Sequence, residues 1–137
     1  MNIELCLVLT TVANRDDAAR LADALLTAHL AACVQCEAIE SRYWWQGELC
    51  RDDEVRLVIK TARHLYAAVE ALLLAQHPYD CPQIVCVDAA AVSAGYRDWA
   101  AGYCQGWIDA APMKTVTRFL WEPAPYSLVC LRLAIAI

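Results

Sequence analysis

The sequence predicts an α+β fold of order βαββαβ followed by a further helix, and three observations carry that prediction. Residues Asn2 to Val12 alternate Ile3, Leu5, Leu7 and Leu9 against Glu4, Cys6, Val8 and Thr10, the period of a strand with both faces largely apolar. Leu30 to Thr61 reads as one very long β-hairpin, with apolar and aromatic arms around a Gln46-Gly47 turn, each arm far exceeding the usual strand of about five or six residues. Helical spacing then appears on either side of that hairpin. The chain of 137 residues is sized for one domain with one core and no need of disulfide staples.

Each element has its own local signal. Asn14 is an N-cap candidate, Asp16 and Asp17 suit a helix N-terminus, and Ala18, Leu21, Ala22, Leu25 and His29 follow at helical spacing, so a first helix is expected from Arg15 to Ala31. In the hairpin, Ile39, Ser41, Tyr43 and Trp45 alternate with Glu40, Arg42, Trp44 and Gln46, and Val55, Leu57 and Ile59 alternate with Glu54, Arg56 and Lys60. A second helix begins near Arg63, carries Leu65, Val69, Leu72, Leu73 and Gln76, and ends at His77, because Pro78 disfavours helical geometry in the residue before it. Gln83 to Ala89 is a short strand, and Ser93 caps a third helix bearing Tyr96, Trp99, Ala100 and Tyr103. The βαββαβ order is the split βαβ arrangement of ferredoxin-like folds, in which two helices cover one face of an antiparallel sheet.

The organisation divides at about residue 101. After Gly102 periodicity weakens; the TVTRFLW and SLVCLRLAIAI runs could be strands separated by the EPAP break, a partner-covering arm or a poorly packed extension. Residues 1–101 are therefore one domain and 102–137 an extension of unassigned structure.

Composition narrows the partners. Hydrophobic residues make up 60% of the chain and charged residues 20%, more apolar surface than one small domain hides, which favours association. A net charge of −5 with no Lys/Arg cluster argues against nucleic acid. No apolar run reaches the roughly 18 residues that span a bilayer, and no basic export segment opens the chain, so no membrane partner and a cytoplasmic location are expected. The eight cysteines then read as reduced thiols. Cys33 and Cys36 have CxxC spacing, which on a helix or tight loop could hold zinc or exchange thiols; on a strand, residues three apart face opposite ways.

Five spaced motifs carry a family resemblance: LAACV at Leu30 to Val34, YWWQGEL at Tyr43 to Leu49, EVRLVIKT at Glu54 to Thr61, HPYDCP at His77 to Pro82 and YRDW at Tyr96 to Trp99. In this order, over Ile3 to Ala101, the chain resembles the CutA divalent ion tolerance family. The resemblance implies a ferredoxin-like protomer in a PII-like homotrimer whose long hairpins extend neighbouring sheets. It also implies tolerance of copper and other divalent metals, with no established enzymatic reaction.

The copper ligands of that family, carried over position by position, fall on Thr10, His77 and Gln83. Only the histidine is a good ligand, because threonine and glutamine are weak neutral oxygen donors. Cys81, four residues beyond His77, is the candidate replacement, and an imidazole with a thiolate favours copper or zinc, weakly held. The same resemblance places Tyr43, Trp45, Glu54 and Lys60 near an intersubunit cleft, where they could receive a small anionic effector or serve as cross-strand ion pairs and aromatic anchors. No catalytic signature such as GxSxG, a P-loop or HExxH occurs, and Asp52, Asp53 and Glu54 read as a solvated face. The expected function is a non-enzymatic trimer responding to divalent metal, copper above all; the alternative is a small-molecule or protein-binding regulatory trimer without metal.

Overall fold

The computed structural model of the chain describes residues 3–105. Strands β1 Leu5–Val12, β2 Cys33–Trp45, β3 Glu48–Ala62 and β4 Val85–Asp88 form one antiparallel sheet in the order β2-β3-β1-β4. Helix α1 spans Arg15–Thr27, α2 Tyr66–Gln76 and α3 Ala94–Tyr103, and a 3-10 turn at Arg63–Leu65 leads into α2. The element order is the one expected from the sequence.

The apolar character of both faces of β1 follows from its place between β3 and β4. Cys6, Val8 and Val12 face one way with their β3 neighbours Ile59, Leu57 and Val55, and pack against Ala18, Leu21 and Leu25 of α1 and Val69 and Leu73 of α2. Leu5 and Ala62 face the other way and meet Ala100 of α3 and Cys104 in a second, smaller cluster. Alternation puts Leu7, Leu9, Val58, Val85 and Val87 on this second face, and Val85 and Val87 remain 45% exposed. The second face is therefore apolar but only partly covered by α3.

The hairpin ladder runs unbroken from Cys33 opposite Lys60 to Trp45 opposite Glu48. With no bulge between them, Cys33 and Cys36 lie on opposite faces of β2. Gln46 and Gly47 both take positive φ, 49° and 80°, as a type I′ turn requires; its twist matches that of the flanking strands. The tip projects beyond the helices, leaving Trp44 70% and Leu49 71% exposed, side by side on one face.

Three boundaries differ from expectation, each for a local reason. Helix α1 stops at Thr27, short of Ala31, because the Leu30 N–H reaches the Leu25 carbonyl and the His29 N–H the Leu26 carbonyl, a Schellman closure with His29 at φ 55°. His29 thus ends the helix instead of lying along its apolar face. Strand β4 is only four residues long, since residues 78–83 turn toward the hairpin before the chain rejoins the sheet. Helix α3 crosses the division expected at residue 101, and Cys104 beyond it is buried. Other signals hold: Asn14 Oδ1 accepts from the Asp17 N–H at 2.8 Å, Ser93 Oγ from the Tyr96 N–H at 3.4 Å, and α2 gives way at His77 to an extended ψ of 135°. The arrangement of residues 106–137, where most of the expected extension falls, lies outside the described residues.

Candidate functional site: the hairpin cleft

The loop after α2 folds against the hairpin and the end of β1 to form a cleft of about 1240 Å³. Its walls include Ile39, Tyr43, Trp45, Asp52 and Glu54 from the hairpin and Tyr79, Cys81 and Gln83 from the loop. Parity explains the hairpin wall: Ile39, Ser41, Tyr43 and Trp45 on β2 share one face with Asp52, Glu54 and Arg56 on β3.

His77 braces the loop. Its Nδ1 accepts the Tyr79 N–H at 3.1 Å, while its Nε2 lies 3.0 Å from the Thr11 carbonyl oxygen and 3.1 Å from Thr10 Oγ1. A carbonyl only accepts, so Nε2 carries the proton and Nδ1 is the acceptor. Burial lowers the pKa of this imidazole, opposed by the Thr11 carbonyl, and the neutral form satisfies both partners. Tyr79 then packs with its ring tilted 54° to the imidazole, centroids 5.0 Å apart, and donates its hydroxyl to Glu54 Oε2 at 2.9 Å. A continuous chain of contacts thus links β1 to the hairpin wall through His77, Tyr79 and Glu54.

Charge in the cleft is uneven. Glu40 pairs with Arg42 and Arg51, Asp53 with Arg51, and Arg56 with Glu37. Asp52 and Glu54 accept from phenols, Tyr43 on Asp52 and Tyr79 on Glu54, and neither has a cationic partner among the described residues. Both phenols are pushed up: Tyr43 to about 12, chiefly through its hydrogen bond to Asp52, and Tyr79 chiefly through burial and then through its hydrogen bond to Glu54. A phenolate beside these carboxylates would add like charge to like. Spectrophotometric titration of the native protein at 295 nm should accordingly show tyrosinate formation delayed relative to the same chain in urea, and Asp52→Asn should move part of that absorbance to lower pH. Superimposable native and denatured titrations would contradict the two phenol-carboxylate pairs.

The residues singled out in the sequence fall into separate places. Tyr43, Trp45 and Glu54 line one cleft within a single protomer, whereas Lys60 stands over the Tyr96 ring at 5.5 Å on the α3 side of the sheet. Thr10 and His77 are brought together by a hydrogen bond, and Cys81 and Gln83 line the cleft. Asp52 and Asp53 are exposed, as the solvated-face reading expects, and Glu54 is half-buried; Asp52 and Glu54 in addition accept from phenols in the wall. Their shared parity with Tyr43 is the signal that could have found them. Tyr79 went unassigned because its role depends on the fold of the loop.

These residues do not suit a copper or zinc centre. Thr10 offers a buried hydroxyl already bound to the imidazole, Gln83 a neutral amide, and both nitrogens of His77 are engaged. Among the described residues no group of three His, Cys, Asp or Glu side chains is placed to hold a metal ion.

Fold and cleft together define a class: small α+β proteins in which an overlong hairpin and a braced loop wall a cleft beside a single antiparallel sheet. Residues 6–102 match the CutA1 divalent ion tolerance protein family, and the chain belongs to that family. It is 39% identical over 93 residues to the divalent-cation tolerance protein CutA of Thermus thermophilus, covering 67% of this chain and 90% of that one. The solved structure of CutA from Synechococcus elongatus superposes with a TM-score of 0.72 at 37% identity, over 76% of this chain and 94% of the other. A CutA from Archaeoglobus fulgidus, described as a periplasmic divalent cation tolerance protein, gives a TM-score of 0.72 at 28% identity over 74% and 99%. These proteins are named for cation tolerance and not for a reaction. Among the described residues no helix is long and apolar enough to cross a membrane.

Proposed function

We propose that this chain acts in the cytoplasmic response to divalent metal as a non-catalytic homotrimer of ferredoxin-like, PII-like protomers, and that its hairpin cleft takes a small effector in place of a copper ion at His77. The observation that carries this reading is the double engagement of His77. An imidazole whose Nδ1 accepts a backbone N–H and whose Nε2–H donates to a backbone carbonyl must lose one of these bonds before it can ligate a metal. Thr10 and Gln83 supply no thiolate or carboxylate to repay that loss. Sheet order supports the ferredoxin-like assignment, and the exposed Trp44, Leu49, Val85 and Val87 supply apolar surface for association.

Copper and zinc titrations of the full chain, of His77→Ala and of the milder His77→Gln should all give the same weak uptake. A tight, stoichiometric site lost in both variants would restore the metal-binding reading. Light scattering at low micromolar concentration should give three chains per particle, and a well-folded monomer would refute the assembly.

A further inference from the structure

We propose that Cys6 and Cys86 form a metal site, a two-thiolate clasp for a soft monovalent cation of the cuprous kind. The clasp involves neither His77 nor the hairpin cleft, so its failure would leave the proposed function standing.

Sheet register brings the two sulfurs together. Cys86 on β4 lies opposite Val8 and Asp88 lies opposite Cys6, so Cys6 and Cys86 are diagonal neighbours on one face of the sheet. That face is the one α1 and α2 cover: Cys6 is fully buried with Val8, Val69 and Leu73, and the half-buried Cys86 packs against the same cluster. Both thiols therefore belong to the helix-covered core of a single protomer, away from the apolar face beneath α3. The Cys6 S–H donates to the sulfur of Cys86, and both residues are free thiols.

The spacing suits an ion better than a disulfide. Diagonal neighbours hold their Cα atoms about 7–8 Å apart, beyond the roughly 4.4–6.8 Å that a disulfide spans, so direct oxidation would require β4 to shift. A metal ion between the sulfurs bridges a longer gap, and β4, four residues at the sheet edge, is the element best able to adjust to it. On binding, each sulfur releases its proton to solvent and donates a lone pair to the metal. Burial, with the contact to Cys86, pushes the Cys6 thiol up to about 12, so only a cation with high affinity for sulfur displaces those protons. One monovalent ion and two thiolates carry a single net negative charge. Arg63 favours a thiolate at Cys6 and Asp88 opposes it, and these two pair with each other at 3.2 Å, so the surroundings are close to neutral.

The number of ligands selects the ion. Thiolates suit the soft cuprous ion, for which linear coordination by two sulfurs is sufficient. Zinc requires four ligands and cupric ion prefers nitrogen and oxygen in a tetragonal array, while among the described residues no third His, Cys, Asp or Glu joins the pair. Neither is held here beyond the weak uptake expected above.

Anaerobic titration of cuprous ion into the reduced full chain, in competition with the chromophoric chelator bathocuproine disulfonate, tests the clasp. The parent should hold one ion per protomer. Cys6→Val and Cys86→Val, which keep the core filled, should each lower that affinity at least about a hundredfold, because the second thiolate of a preformed pair acts at high effective concentration. The double variant should be no weaker than either single one. Cys36→Ser, which removes an exposed thiol opposite Leu57 on the same sheet, should keep the ion. X-ray absorption of the loaded protein should find two sulfur neighbours and no nitrogen. An ion retained in either valine variant, lost equally in Cys36→Ser, bound by three or more ligands, or not held by the parent at all would overturn the assignment.

Discussion

His77→Ala is expected to destabilise the metal-free protein by about 2–3 kcal/mol and to release the Tyr79 amide to faster hydrogen exchange. The imidazole makes two backbone hydrogen bonds, and a typical one contributes roughly 1 kcal/mol net, while a buried acceptor left unpartnered costs about 1–3 kcal/mol. Thr10, fully buried, loses the polar neighbour of its hydroxyl as well. Tyr79 then has no anchor on the β1 side and its contact with Glu54 loosens. Denaturant midpoints at fixed protomer concentration, with exchange rates of the Tyr79 amide, make the measurement, because oligomer stability depends on concentration. His77→Gln should recover part of the loss, since its amide can still donate to the Thr11 carbonyl. A metal ligand without a bracing role would give a metal-free variant as stable as the parent, and that result would refute the brace.

Leu57→Ala is expected to cost about 3 kcal/mol, a large share of the roughly 5–15 kcal/mol that separates folded from unfolded domains. Leu57 is fully buried at the centre of β3, opposite Thr10 on β1 and Cys36 on β2, in the cluster that α1 and α2 cover. Neighbours on three sides belong to regular elements, so the void left by the three missing carbon atoms, Cγ, Cδ1 and Cδ2, closes only partly. Leu49→Ala is the contrasting substitution. That side chain is 71% exposed at the hairpin tip, so its loss should leave the protomer's folding almost unchanged and register instead in sedimentation as weaker association. Equal denaturation midpoints for Leu57→Ala and the parent would contradict the placement of the core.

Much of the fold was legible because its signals are local. Alternation in β1, β2 and β3 marks which residues share a face whatever they pack against, and the Gln46-Gly47 turn needs only the preference of glycine for positive φ. Pro78 ends α2 through its own ring. The end of α1 was not legible, because helical spacing continues through His29 while closure depends on bonds back to Leu25 and Leu26 and on burial of Leu30. Nor was the shortness of β4, which depends on residues 78–83 leaving the sheet to meet the hairpin.

The candidate site divides along the same line. Residue types alone showed that Thr10 and Gln83 are poor ligands for copper or zinc, since donor chemistry belongs to the side chain. The sequence by itself thus determined the element order, the overlong hairpin, the family and the weakness of any metal set built on His77. Only the tertiary structure decided that His77 is a neutral brace with both nitrogens engaged, that Tyr79 holds Glu54, and that Lys60 lies away from the cleft. The reason is distance along the chain: 66 residues separate Thr11 from His77 and 25 separate Glu54 from Tyr79, and partners so far apart leave no periodicity to read.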